Sequence, residues 1–264
     1  MPPAQRKRAR TYDLDRTRAA VIAQLGNVRT VVEALDEGRF ALPTRLGDWT
    51  VRELVTHIAL GVRSVTHGLG QPAPPAREIT LAEWPFATAD YATQVATSVR
   101  EAAAAEDPVA LLAQVAERFA ELTSGVPAER LLTARPGVMR LDDLLVTRCV
   151  ELVVHSDDLA AALGVDIPFD RQALAAVTRL LADSLAVKAP GGSVEVRVPP
   201  FAVVQCVAGP KHTRGTPPNV VETAPLTWVR LATGRTDWAT ALDAAAVSAS
   251  GERADISEQL PLLT

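Results

Sequence analysis

Hydrophobic residues recur at helical spacing through the first two thirds of the chain. The first apolar stripe predicts a helix over residues 13–37, with Gly38 as its stop signal. Asp107 and Pro108 are typical of the cap and first position of a helix, and Gly164 is typical of a helix end. The other predicted helices follow in chain order: 51–67, 87–106, 108–122, 141–163 and 170–187. Two segments rich in proline and glycine are predicted as loops: 68–77 and 124–137.

The pattern changes after residue 188, where "APGG" indicates a linker or turn. Alternating and β-branched stretches predict four strands, within residues 193–198, 201–209, 219–223 and 247–256. Two short helices are predicted between the third and fourth strands, within 225–234 and 237–246. The predicted fold class is α+β: a helical domain followed by a small α/β domain. The predicted division is a mobile basic segment over 1–12, the helical domain over 13–188 and the α/β domain over 189–264.

Composition and charge narrow the class of protein. The chain has 264 residues and a net charge of −4. It contains no basic stripe interleaved with aromatic residues, so the sequence does not predict nucleic-acid binding. The sequence contains no run of eighteen apolar residues, so no membrane-spanning helix is expected. The only cysteines are Cys149 and Cys206, in different kinds of segment, which favours a reducing compartment and a cytoplasmic protein.

The pentapeptide Glu-Leu-Val-x-His occurs twice, and the two copies together contain two of the four histidines of the chain. In the first copy, Thr50 and Glu53 have the spacing of a capping box, which explains Glu53 structurally. His57 lies one turn further on, at the border of the apolar helix face. A lone histidine in such a position is more often a satisfied core residue than a ligand.

The second copy lies in a helix that is apolar around most of its circumference, which is typical of a buried helix. Arg148, Glu151, His155 and Asp158 fall on one strip about 80° wide. One interpretation is a buried network of arginine and carboxylates. The other is a metal site, in which Glu151 and His155 bind one ion and His57 supplies the third ligand. Asp158 would then orient a ligand imidazole. If the site is empty, Arg148 would neutralise Glu151 or Asp158.

The two motifs "GDWTVRELVTH" and "CVELVVHSDDL" resemble those of the DinB-like metalloenzyme superfamily, in the branch of the mycothiol-dependent maleylpyruvate isomerases. The resemblance implies a four-helix bundle that holds a divalent metal, usually zinc. It also implies that the ligands are His57, Glu151 and His155, and that the open metal position takes water or a thiol such as mycothiol.

The rest of the chain resembles the small sterol-carrier-like domain that follows the bundle in these proteins, in its bacterial orthologue form. The polar, proline-rich stretch "HTRGTPPNVVET" is a departure from the isomerases. Maleylpyruvate is therefore not expected as the substrate. His212 and Arg214 of this stretch are candidates for binding an anion or covering the metal, with a solvated loop as the alternative.

Two functions from different classes follow. The first is a metal-dependent isomerase or transferase that uses a thiol against a small electrophilic substrate. In that case Arg235 or Arg230 is expected on the far wall of an interdomain cleft, where it would bind a carboxylate. Cys149 is predicted to be a buried apolar residue, so the thiol must come from outside. The second is a carrier of a lipid or another apolar ligand, with a vestigial or structural metal site.

Overall fold

The described part of the chain, residues 10–209 and 217–263 of a computed structural model, forms eight α-helices and two β-sheets. The helices are α1 Leu14–Glu33, α2 Val51–Leu69, α3 Ala92–Ala105, α4 Pro108–Leu122, α5 Leu141–Leu163, α6 Arg171–Lys188, α7 Pro225–Ala232 and α8 Trp238–Asp243. The strands are β1 Leu131–Ala134, β2 Gly137–Arg140, β3 Val194–Val198, β4 Ala202–Cys206, β5 Val220–Thr223 and β6 Val247–Ser250. No helix of the described residues is both long and apolar enough to span a bilayer.

Four helices, α1, α2, α4 and α5, pack against one another as a bundle, and α3 lies on the outer side of α2. Their inward faces carry apolar residues at helical spacing, such as Val21, Leu25 and Val28 of α1, all of which are buried. Helix α5 is buried on nearly all sides, as its composition predicts. The predicted α+β fold class, with a helical bundle before a small α/β part, is confirmed.

Two helix boundaries differ from the prediction for local reasons. Helix α1 ends at Glu33 rather than at residue 37, because the Asp36 carboxylate caps a following 3-10 turn by accepting from the Arg39 amide at 3.1 Å. Helix α3 begins at Ala92 rather than at residue 87, after two 3-10 turns. Other end signals are confirmed: Asp107 caps α4 through the Ala110 amide at 2.8 Å, and Gly164 ends α5 with φ +66°.

A short antiparallel hairpin occupies a segment that was predicted to be a loop. Strands β1 and β2 pair from Leu131 opposite Arg140 to Ala134 opposite Gly137. Arg135 and Pro136 form the turn between them. Four-residue strands are too short for their alternation to stand out, and the Pro-Gly pair at the turn dominates the local signal. The hairpin leads directly into α5 and forms part of the wall of the cavity described below.

The second sheet has the strand order β4-β3-β5-β6, in which only β3 and β5 run parallel. The alternation that predicted β3 is visible in its burial, since Val194, Val196 and Val198 are all buried. Val196 lies opposite Val204 of β4 and Val221 of β5. The buried face of the sheet therefore forms an apolar layer against the helices.

Helix α6 joins the two parts into one molecule. It packs on α1 and α5 on the bundle side, and on β4 and α7 on the sheet side. Buried residues of the bundle and of the sheet form one continuous hydrophobic cluster. The predicted boundary at residue 188 falls at the end of α6, so this helix serves both cores.

Two residues just before α1 contact the rest of the molecule. Arg10 Nε lies 2.9 Å from the Asp183 carboxylate of α6, and Tyr12 packs against the hydrophobic cluster. The mobility of the segment before residue 13 stays a prediction. Residues 1–9 lie outside the described part of the chain.

Candidate metal centre

Three side chains from two helices point at one position between α2 and α5. His57 Nε2 lies 3.1 Å from Glu151 Oε2 and 3.1 Å from His155 Nε2. His155 Nε2 lies 3.3 Å from Glu151 Oε2. Within the described residues, these three form the group that could hold a metal ion, with ligand atoms all within 4.8 Å of one another. Both Glu-Leu-Val-x-His pentapeptides thus meet at one site.

The helices place these side chains for simple reasons. Glu151 and His155 are one helical turn apart, so they project from the same side of α5. His57 stands on α2, whose start is set by the capping box of Thr50 and Glu53. The Glu53 carboxylate accepts from the Thr50 amide at 2.9 Å. The prediction that the first pentapeptide uses its glutamate as a cap is confirmed.

The orientation of His155 is set by a neighbouring carboxylate. Asp158 Oδ2 lies 2.8 Å from His155 Nδ1, and the Asp158 side chain is wholly buried. A carboxylate in this place accepts a hydrogen bond from the Nδ1–H group, which directs the other ring nitrogen, Nε2, toward Glu151 and His57. Asp158 therefore selects which nitrogen of His155 faces the site.

Burial and hydrogen bonding set the charges of the three groups. Burial disfavours the charged form of Glu151, but the hydrogen bonds from His155 and His57 outweigh it and hold the pKa of Glu151 well below its ordinary value. Burial lowers the pKa of His57. Burial also acts against charge on His155, but the hydrogen bonds to Asp158 and Glu151 are stronger and raise the pKa of His155. An anionic carboxylate thus faces a neutral imidazole and a basic one.

This donor set fits a divalent metal. Two imidazole nitrogens and one carboxylate oxygen form a ligand set known from catalytic zinc sites, which keep a further position open. With the proton on Nδ1 of His155 held by Asp158, a metal ion would replace the second ring proton and receive the lone pairs of all three atoms.

The two arginines predicted to bind substrate are instead paired with carboxylates of α5. Arg230 Nη2 donates to Asp157 Oδ1 at 2.6 Å, and Arg235 Nη2 donates to Asp158 Oδ2 at 2.9 Å. Arg45, from the segment between α1 and α2, donates to both aspartates. Three arginines thus meet two aspartates at the junction of the two parts of the molecule. The role of Arg230 or Arg235 in binding a substrate carboxylate stays a prediction.

Sequence reasoning missed Arg45 and Asp157. A signal for Asp157 was present, because two adjacent acidic residues in a nearly all-apolar helix require cationic partners. Nothing in the sequence around Arg45 distinguishes it from a surface arginine. Its partners lie more than a hundred positions away along the chain.

A cavity of about 590 Å³ opens at the three converging side chains. Helices α2, α3 and α5 and the β1–β2 turn form its walls, and most of its lining is apolar. From the chain beyond α6, Arg235 and Leu263 line the cavity, whereas Arg230 does not. The expected interdomain cleft is thus mainly a cavity of the bundle, with the second part of the molecule at one edge.

The remaining candidates lie elsewhere. Cys149 is fully buried, and burial raises the pKa of its thiol to about 12, so it does not supply a thiolate. His67 is exposed near the end of α2. His212 and Arg214 fall outside the described residues. Arg148 lines the cavity and hydrogen-bonds to Gly61 and Thr147, rather than pairing with Glu151 or Asp158.

Comparison with known proteins agrees with this arrangement. Residues 21–160 match the family model described as the mycothiol maleylpyruvate isomerase N-terminal domain. Residues 170–262 match the model described as a bacterial SCP ortholog, a match that begins just before α6. No curated protein sequence matches the chain. Both resemblances inferred from the sequence motifs are confirmed.

Two solved structures show the same fold over most of the chain. The crystal structure of the mycothiol-dependent maleylpyruvate isomerase is 16% identical, with a TM-score of 0.59 over 90% of this chain and 93% of that chain. A mutant of a protein described in the same words is 14% identical, with a TM-score of 0.60 and the same coverage. YfiT from Bacillus subtilis, described as a probable metal-dependent hydrolase with an unusual four-helix bundle topology, is 16% identical. Its TM-score is 0.40, and the match covers 61% of this chain and 93% of that chain.

The first family match spans more than half of the chain and includes both helices that carry His57, Glu151 and His155. The protein therefore belongs to the family of the mycothiol maleylpyruvate isomerase N-terminal domain, here followed by a bacterial SCP-ortholog domain.

Proposed function

We propose that this protein is a cytoplasmic metalloenzyme that uses an external low-molecular-weight thiol, with mycothiol as the candidate, to isomerise or transfer a small electrophilic substrate. The metal is zinc, held by His57, Glu151 and His155. The observation that carries this proposal is the convergence of the three ligand atoms at the wall of a cavity of about 590 Å³. A metal bound there would lower the pKa of a thiol that enters the cavity.

The chain's own residues support this chemistry in three ways. Asp158 keeps Nε2 of His155 directed at the site. The apolar lining from α2, α3 and α5 limits the water around a reacting group. The paired arginines at the junction keep Asp158 ionised, since hydrogen bonds from His155 and Arg235 outweigh its burial and hold its pKa below the ordinary value.

The thiol must come from outside the chain. Cys149 and Cys206 are both buried, and burial raises the pKa of both thiols. The reaction class is addition of the external sulfur to an electrophilic carbon of the substrate. Loss of the thiol after rearrangement gives an isomerase, and retention of the carbon–sulfur bond gives a transferase.

Cobalt substitution tests the proposal directly. Protein loaded with Co²⁺ should bind about one ion per chain, and 2-mercaptoethanol should produce a thiolate-to-cobalt charge-transfer band. Ethylene glycol, which has the same shape but no thiol, should produce none. The variant His155→Ala, treated identically, should show neither stoichiometric cobalt nor the band.

The carrier function predicts the opposite pattern. Binding of a fatty acyl chain by protein that holds no metal, with no spectral response to thiol, would reject the enzyme proposal. The largely apolar cavity makes this the relevant alternative outcome.

A further inference from the structure

Arg148 occupies the cavity wall one helical turn away from the three converging side chains. It precedes Glu151 by three residues on α5, and its Nη1 donates to the carbonyl oxygen of Gly61 at 3.1 Å. Gly61 follows His57 by four residues on α2. Along both helix axes, therefore, the contact between Arg148 and Gly61 lies about 5 Å, roughly one helical turn, from the residues that carry the proposed ligand atoms.

The charge of Arg148 has no acidic partner within 4.0 Å among residues 10–209 and 217–263, where its acceptors are neutral oxygens. Three other arginines line the wall. Arg135 also lacks an acidic partner among the described residues, but it is exposed and donates to Ser98. The other two meet a carboxylate. Arg100 lies 2.7 Å from Asp48, and Arg235 lies 2.9 Å from Asp158. Burial lowers the pKa of Arg148, which reflects a cation removed from water without full compensation.

The hydrogen bonds leave part of the guanidinium available. A guanidinium has five N–H donors. Arg148 uses Nε and Nη2 toward Thr147 Oγ1, at 3.2 and 3.1 Å, and Nη1 toward Gly61. Among the described residues, one N–H on each of Nη1 and Nη2 has no acceptor. Two such donors on neighbouring nitrogens match the two oxygens of a carboxylate.

Gly61 makes room for this arrangement. A Cβ atom at Gly61 would lie 3.1 Å from Arg148 Nη1, closer than ordinary contact. A side chain at position 61 would therefore require the guanidinium to shift by a few tenths of an ångström.

We propose that Arg148 forms an anion subsite that binds the carboxylate of the molecule whose reactive atom lies at His57, Glu151 and His155. This proposal rests on the proposed function for the reactive atom, but the anion subsite itself requires no metal. The spacing of about one helical turn selects ligands in which two to four bonds separate the carboxylate from the reactive atom. The ligand chemistry is thus a small carboxylate, carried either by the substrate or by the thiol.

The first experiment uses metal-free protein, so that its result does not depend on metal binding. Calorimetric titration should show binding of succinate and no binding of its neutral analogue succinamide. Arg148→Gln should weaken succinate binding by at least about tenfold, the loss expected for hydrogen bonds to a charged group. Arg148→Lys, which keeps the charge, should retain part of the affinity, and thermal unfolding should show that both variants are folded.

A matched control separates this site from the general charge of the cavity. Arg100→Gln removes the same charge from the same wall, but Arg100 already has a carboxylate partner and is half exposed. It should change succinate affinity by less than about threefold, since exposed pairs contribute little. Gly61→Ala should weaken binding with Arg148 intact, because its methyl group requires Arg148 Nη1 to shift by a few tenths of an ångström.

The second experiment identifies which molecule carries the carboxylate. On cobalt-loaded protein, mercaptoacetate should bind more tightly than 2-mercaptoethanol if the thiol carries it, and Arg148→Gln should abolish this preference. If the substrate carries it, succinate should bind alongside 2-mercaptoethanol instead. If the protein does not bind cobalt, the proposed function is rejected. The succinate titration of the metal-free protein then decides by itself whether the anion subsite exists.

Two results would overturn the anion subsite. One is equal affinity of the wild-type protein for succinate and succinamide. The other is an Arg148→Gln variant that is folded and binds succinate as tightly as the wild type, or that loses no more affinity than Arg100→Gln.

Discussion

At the scale of single residues, the site depends on which atom of each side chain faces the common position. His57 and His155 approach one another through Nε2, at 3.1 Å, and the His155 orientation follows from the bond between its Nδ1 and Asp158. Two neutral imidazole lone pairs at this distance repel, so either a proton or a metal ion must lie between them. In the proposed site, a metal ion lies between the two nitrogens.

Removal of one ligand should abolish tight metal binding. In His155→Ala only two ligands remain, and we expect the affinity for zinc to fall by more than about a hundredfold, beyond the effect of altering an outer hydrogen-bond partner. Competition with a chromophoric chelator measures it. The control is His67→Ala, on the same helix as His57 but exposed, which should bind zinc like the wild type. Equal affinity in both variants would reject the ligand assignment.

The cap at the start of α2 should be separable from the metal. Glu53→Gln should keep metal stoichiometry, because glutamine can also accept from the Thr50 amide. Thr50→Ala should cost about 1 kcal/mol of unfolding free energy, measured by urea denaturation. Loss of metal from a folded Glu53→Gln protein would show that Glu53 acts at the site.

At the scale of elements, α5 is held by charge at the point where the two parts of the molecule meet. Its side chains Asp157 and Asp158 are 6% and 0% exposed, and they receive Arg45 from the bundle side and Arg230 and Arg235 from α7 and the turn after it. Buried carboxylates of this kind are stable only when fully paired. The second domain thus contributes to the orientation of a bundle histidine.

Arg235 should therefore influence the metal without touching it. In Arg235→Gln, Asp158 loses a charged partner and holds His155 less firmly, so zinc affinity should fall by about tenfold, the lower end for outer hydrogen-bond partners. Arg230→Gln is the matched control, since Arg230 pairs with Asp157, which does not contact His155. Chelator competition on both proteins decides the point. Equal losses would indicate a general effect on the domain junction instead.

At the scale of the whole molecule, metal binding should appear as stability. A ligand present at a hundred times its dissociation constant adds about 2.7 kcal/mol to the free energy of unfolding when it binds only the native state. Zinc should raise the melting temperature by several degrees, and EDTA should lower it again, because the site joins α2 to α5. The His155→Ala protein should show no such response. A wild-type melting temperature that ignores zinc and EDTA would contradict a metal site.

The sequence by itself determined the local and periodic features. The helical and alternating patterns predicted a helical domain and the small sheet, because side-chain periodicity reflects which face is buried. The four-helix bundle was implied by the family resemblance. The two pentapeptides pointed to His57, Glu151 and His155, since a spacing of four residues on a buried helix brings two side chains together whatever surrounds them. The capping box was equally local.

Only the tertiary structure decided the partners that lie far apart along the chain. It paired Arg230, Arg235 and Arg45 with the aspartates of α5. It placed Arg148 at the cavity with no carboxylate partner in the described part of the chain. An arginine side chain is long and has several rotatable bonds, so its sequence position does not determine which charge it reaches. Folding settles that, because each buried carboxylate must find a cation from whatever elements pack beside it.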